Sequence, residues 1–98
     1  MPIVRVSQTE GDPSELEARY QRVQQRLRGG EGGSFPPAGL KVHTAMRTPT
    51  GFRVANIWES AEQADAAWQR ISAILREEGA DPEAMRFEEY EVVNLVVA

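Results

Sequence analysis

The chain has 98 residues, of which 41% are apolar and 27% charged, and a net charge of −4 at neutral pH. That length allows one domain and leaves no room for a second core, and the composition is that of a globular protein. It contains no cysteine, which excludes disulfides, thiolate catalysis and Cys-ligated metals, while the acidic balance argues against nucleic acid or an anionic membrane as partner.

The N-terminal run Met1-Pro2-Ile3-Val4-Arg5-Val6 lacks the basic-then-apolar order of a signal peptide. No apolar run approaches the ~20 residues of a membrane span, so the cytoplasm is the expected location. Alternation around Val4 and Val6 predicts a first strand over Ile3 to Ser7. Gly11-Asp12-Pro13-Ser14-Glu15 then announces a helix, with Asp12 as cap, Pro13 at the first helical position and Glu15 placed for a capping box. Leu16, Tyr20, Val23 and Leu27 recur at helical spacing and form its apolar face, so Tyr20 reads as a core residue. The Gln/Arg stretch from Gln21 to Arg28 reads as the solvated face, and Gly29-Gly30 ends the helix.

From Gly29 to Gly39 the chain reads GGEGGSFPPAG, a flexible loop that stiffens at Pro36-Pro37. It lacks a Gly-Lys-Ser/Thr ending and follows a helix, unlike phosphate-binding loops. Leu40 to Arg47 and Gly51 to Glu59 are expected as strands of a hairpin turning at Thr48-Pro49-Thr50. Ser60 caps a second helix, with Gln63 completing a capping box and Ala64, Ala67, Trp68, Ile71 and Leu75 as its core-packing face. Gly79 closes it, Asp81-Pro82 turns the chain, and a long last strand is expected from Arg86 to Val97.

This β-α-β, β-α-β order predicts a single α+β domain over residues 1–98, with a ferredoxin-like, four-stranded antiparallel sheet and two helices on one face. An even-length hairpin loop puts His43 opposite Asn56 and Ala45 opposite Val54. Leu40 and Val42 then share a face with Ala55 and Ile57, while His43 and Ala45 share the other with Val54, Asn56 and Trp58. Both faces carry large apolar groups. The second, with Phe52, Val54 and Trp58, is expected to meet a copy of the chain, which predicts a homodimer.

The run Pro37-Ala38-Gly39-Leu40, then Val42-His43, then Gly51 to Ser60 ending in Trp58-Glu59-Ser60, resembles the dimeric α+β barrel superfamily. The chain is particularly similar to small bacterial proteins grouped near the antibiotic-biosynthesis monooxygenases, whose Val-x-Asn-Leu-like ending is matched by Val92-Val93-Asn94-Leu95. The resemblance implies two sheets facing each other in a dimer and a cleft between sheet and helices in each subunit. It does not imply one activity, because a fold hosts many functions. Relatives include cofactor-free oxygenases of aromatic polyketides and haem-degrading enzymes with an Asn, Trp and His trio. Here the only histidine lies on a strand and not on a helix where haem would be held, so no cofactor is expected.

His43 is the only histidine, the residue type that exchanges protons most readily near neutral pH. With Asn56 and Trp58 it is the candidate ligand-binding group, and it is the candidate catalytic residue, on the partner-facing side. The plainer reading is interior polarity satisfied by a neighbouring amide. A lone histidine with scattered carboxylates offers no metal-ligand spacing, and Glu88, Glu89 and Glu91 read as the exposed side of a strand whose Tyr90 and Val92 pack inward. Two classes of function stand: a cofactor-independent enzyme on a hydrophobic small molecule, or a non-catalytic dimeric binding or structural domain.

Overall fold

Asp12 starts the first helix as its spacing predicts: its Oδ1 accepts from the Ser14 amide at 2.8 Å, and Pro13 follows at a position where no amide hydrogen is needed. The computed structural model describes residues 1–29 and 35–98. Its elements run β1 (Ile3–Glu10), α1 (Pro13–Gly29), β2 (Leu40–Thr48), β3 (Gly51–Trp58), α2 (Ala61–Glu77) and β4 (Arg86–Glu91), with a 3-10 turn at Pro82–Ala84 before β4. Residues 30–34 of the glycine-rich loop, including the expected terminator Gly30, lie outside the described residues. At α2 the Ser60 Oγ accepts from the Gln63 amide at 3.3 Å, and Gly79 leaves the helix with φ 86°.

The strands form one antiparallel sheet in the order β2-β3-β1-β4, the ferredoxin-like arrangement. Its hairpin turns through Pro49-Thr50 alone, since Thr48 already pairs with Gly51. That even loop puts His43 opposite Asn56 and Ala45 opposite Val54, as expected. Gly51 is where β3 presses against β1: a Cβ there would lie 1.9 Å from the Thr9 carbonyl oxygen.

Three expectations are corrected by this sheet. A bulge at Lys41 pairs Leu40 with Trp58 but Val42 with Ile57, so Leu40 changes faces and packs with Ile3, Trp58 and Ala64. The last strand ends at Glu91, although the Val-rich sequence continues. Glu91 pairs with Ile3, the first residue of β1, so beyond one further bond, from the Val92 amide to the Pro2 carbonyl, the tail has no strand beside it. Tyr90 pairs with Val4 on the helix-free face and is 56% exposed, so it does not pack inward.

The most consequential correction concerns the faces. The set with Phe52, Val54, Asn56, Trp58 and His43 lies under the two helices, not toward a partner: Tyr20 of α1 touches both His43 and Phe52, and Trp58 packs on Ala64 of α2. The bulk of Trp58 and Phe52 suits the deep space under helices, whereas the flatter Val4, Val6, Val42, Ala55 and Ile57 share the helix-free face. Two small clusters hold the layers together. Ile3, Trp58 and Ala64 fasten α2 to the sheet, and Val23, Leu27 and Ile74 fasten the helices to each other.

Candidate functional site

Between the two helices and the middle of the sheet a cleft of about 400 Å³ opens. Its walls are apolar: Leu16, Val23 and Leu27 from α1, Val54 and Phe52 from β3, and Ile71 and Leu75 from α2. Trp68 belongs to this wall and stacks edge-on with Phe87 at 4.9 Å between ring centres; it is half-buried beside the cleft and not enclosed in a core as its stripe predicts. Small-molecule sites typically have this character, apolar with a few placed polar groups.

The placed polar groups form a chain. His43 Nδ1 lies 2.7 Å from Asn56 Oδ1, and His43 Nε2 lies 2.5 Å from the Tyr20 hydroxyl. An amide oxygen only accepts, so in this arrangement Nδ1 carries the hydrogen and donates to Asn56. The Nε2 lone pair is then left to accept from Tyr20. Tyr20 also stacks on the imidazole, its ring 5.9 Å from that of His43 and 13° from parallel. Burial pushes the Tyr20 phenol above the ordinary tyrosine range, and the nearby positive charge of Arg28 opposes this only in part. The phenol therefore keeps its proton at neutral pH and, in this arrangement, directs it at Nε2 of His43.

The three residues read from the sequence as the candidate site, His43, Asn56 and Trp58, all line this one cleft. They do so from the side opposite to the one expected. Tyr20 is what sequence reasoning missed, because its place on the α1 stripe reads as packing. Gln24 was missed too: its Oε1 is buried without a hydrogen-bond partner among the described residues, and the side chain lines the cleft. The available signal was its position one helical turn beyond Tyr20, which sets the two side by side.

Charge on the wall comes from both ends. Arg5 of β1 bonds Glu89 at 2.6 Å and Asp65 at 2.7 Å, tying β1, β4 and α2 together at the cleft's edge. Burial works against its charge, but those two partners outweigh it and hold the guanidinium ionised. Among the described residues no group of three His, Asp or Glu side chains is placed to hold a metal ion, and no helix is long and apolar enough to cross a membrane.

No protein-family model matches the chain, and no curated protein does. Solved structures share its fold. One from Chloroflexus aurantiacus, described as an antibiotic biosynthesis monooxygenase, superposes with a TM-score of 0.70 at 11% identity, over 99% of this chain and 98% of its own. SnoaB, a cofactor-independent oxygenase from Streptomyces nogalater, gives 0.62 at 12% identity over 97% and 96%. A heme-degrading protein from Mycobacterium tuberculosis gives 0.63 at 23% identity over 100% and 98%. These likenesses place the chain in the ferredoxin-like fold that antibiotic-biosynthesis monooxygenases adopt. The residues do not fit haem: both nitrogens of His43 are engaged, by Tyr20 and Asn56, which leaves no imidazole lone pair free for an iron.

Proposed function

We propose that the protein binds a planar, largely apolar small molecule in the helix–sheet cleft and oxygenates it without a cofactor, acting as a cytoplasmic homodimer. The observation that carries this reading is the hydrogen-bonded chain Tyr20–His43–Asn56 set in an apolar wall. The unsatisfied Gln24 oxygen supports it, since a wall meant only for packing gains nothing from a buried acceptor without a donor.

The chemistry follows from the proton's path. A substrate with an acidic C–H beside a carbonyl gives that proton to the Tyr20 oxygen as the Tyr20 proton passes to His43 Nε2. Asn56 keeps the hydrogen on Nδ1 and steadies the cationic ring. The carbanion left behind gives up electrons to dioxygen, a C–O bond forms, and the resulting peroxide anion takes back the proton held on His43. Loss of water then leaves a new carbonyl on the substrate carbon. One oxygen atom stays in the product and the other leaves in water, so the CH2 group and O2 become C=O and H2O. The apolar wall keeps bulk water from quenching the carbanion.

Anthrone, whose central CH2 is flanked by two rings, tests this directly through oxygen uptake and appearance of the quinone. The parent should exceed the buffer rate, and His43→Ala and Tyr20→Phe should each lose roughly 10²-fold or more. Binding of anthrone without turnover would instead favour a non-catalytic binding domain. Equal rates in the parent and both variants would remove the relay from the mechanism.

The homodimer rests on the helix-free face. Val4, Val6, Val42, Ala55 and Ile57 form its centre, with Met46 and the exposed Tyr90 beside them. Val93, Val96 and Val97 of the unpaired tail add apolar surface that a second sheet would cover.

A further inference from the structure

We propose that Arg19 makes the cleft select ligands that carry a carboxylate on a planar aromatic frame. This rests on the reading of the cleft as a ligand site. Four arginines lie on α1 from Arg19 to its end, and three of them have assigned work. Arg22 bonds Glu78 at 3.0 Å, Arg26 bonds both Glu77 and Glu78, and Arg28 covers the Phe35 ring with its guanidinium 4.3 Å from the ring centre. Arg19 pairs with no carboxylate among the described residues, and its half-buried side chain lines the cleft.

The other charges on the wall are spoken for. Arg5 is held by Asp65 and Glu89, a bonded cluster at the cleft's edge that carries one net negative charge and offers an incoming anion nothing. Glu88 accepts the Tyr90 hydroxyl and, paired with Val6, projects toward the helix-free face. Among the described residues, Arg19 is the cation on this mostly apolar wall that has no carboxylate partner. A guanidinium in such a setting is poorly hydrated and presents a planar fork that matches a carboxylate.

Its position also orients the ligand. Successive residues on a helix diverge by about 100° around the axis, so Arg19 and Tyr20 point to different sides of the cleft. Tyr20 reaches over β2 to His43, whereas Arg19 lies on the side where Arg22 and Arg26 meet α2. A carboxylate held at Arg19 therefore leaves the far edge of the ring system against Tyr20, where the proton is taken.

Calorimetric titration with 2-naphthoate and with the uncharged, near-isosteric 2-naphthamide tests the inference. The parent should bind naphthoate at least about tenfold more tightly than naphthamide. Arg19→Gln should abolish that preference and leave the naphthamide affinity unchanged. Arg19→Lys should keep part of it, and Arg22→Gln, whose guanidinium is bonded to Glu78 and does not line the cleft, all of it. Equal affinities in the parent, or a preference that survives Arg19→Gln, would overturn the role of Arg19 and leave the cleft standing as a site. Failure of both probes to bind the parent would overturn the cleft as a ligand site, and this inference with it.

Discussion

A buried polar atom without a partner costs stability, and Gln24 carries one on the cleft wall. Gln24→Leu replaces that amide with a side chain of similar shape, so it should raise the urea midpoint of the free protein, by about 1–2 kcal/mol in stability. A lowered midpoint would mean that the oxygen already has a donor in solution. Tyr20 gives a second test. Its phenol titrates above the ordinary value because burial disfavours the phenolate. A group whose folded value is raised contributes stability below its unfolded value, about pH 10 for tyrosine, and loses it as pH rises through the folded value. Unfolding midpoints followed from about pH 9 upward should therefore fall in the parent more steeply than in Tyr20→Phe. Because Tyr90 is also raised, by its bond to Glu88, the comparison is made in a Tyr90→Phe background.

Between elements, the tightest constraint is the contact of β3 with β1 at Gly51. Any Cβ there meets the Thr9 carbonyl oxygen and its carbon, both backbone atoms that cannot turn aside. Gly51→Ala should cost about 2–3 kcal/mol, read from the denaturation midpoint; a neutral change would mean that the two strands part there without penalty. The elements themselves were legible in the sequence where local chemistry decides them. Asp12-Pro13 and Ser60 with Gln63 mark helix starts through bonds made within a single turn. The pairing of His43 with Asn56 was legible because alternation and an even loop leave one register. What escaped was non-local. Alternation sorts side chains into two sets but does not say which set the helices will cover, and here both sets were apolar. Lys41 gives no sign of a bulge, and the Val-rich tail looks like strand until β1 proves to begin at Ile3, too late to pair with it. Tyr20 shares its stripe with true packing residues, so only the cleft reveals that its hydroxyl meets His43.

On the scale of the whole molecule, one apolar surface has helices above it and the other has none. Ile57, at the centre of the bare surface, is paired with both Val4 and Val42. Ile57→Lys should therefore convert the proposed homodimer to a monomer in light scattering at micromolar concentration, with an unchanged far-UV spectrum. The parent interface should exceed ~1,000 Å². A parent that is already monomeric would remove the homodimer from the proposed function.

The cleft also changes how the chain answers to heat. It occupies the middle of the space where a domain of this size would normally gather its packing, and among the described residues no large side chain is wholly enclosed. Folding is thus left partly unfinished, and whatever fills the space completes it. A ligand that binds only the folded form adds about 2.7 kcal/mol at a hundredfold excess over its Kd. In a domain near 100 residues each kilocalorie is worth about 4–8 °C. Melting temperature should therefore report occupancy, so a thermal scan of compound libraries tests the proposed ligand site before any reaction is known.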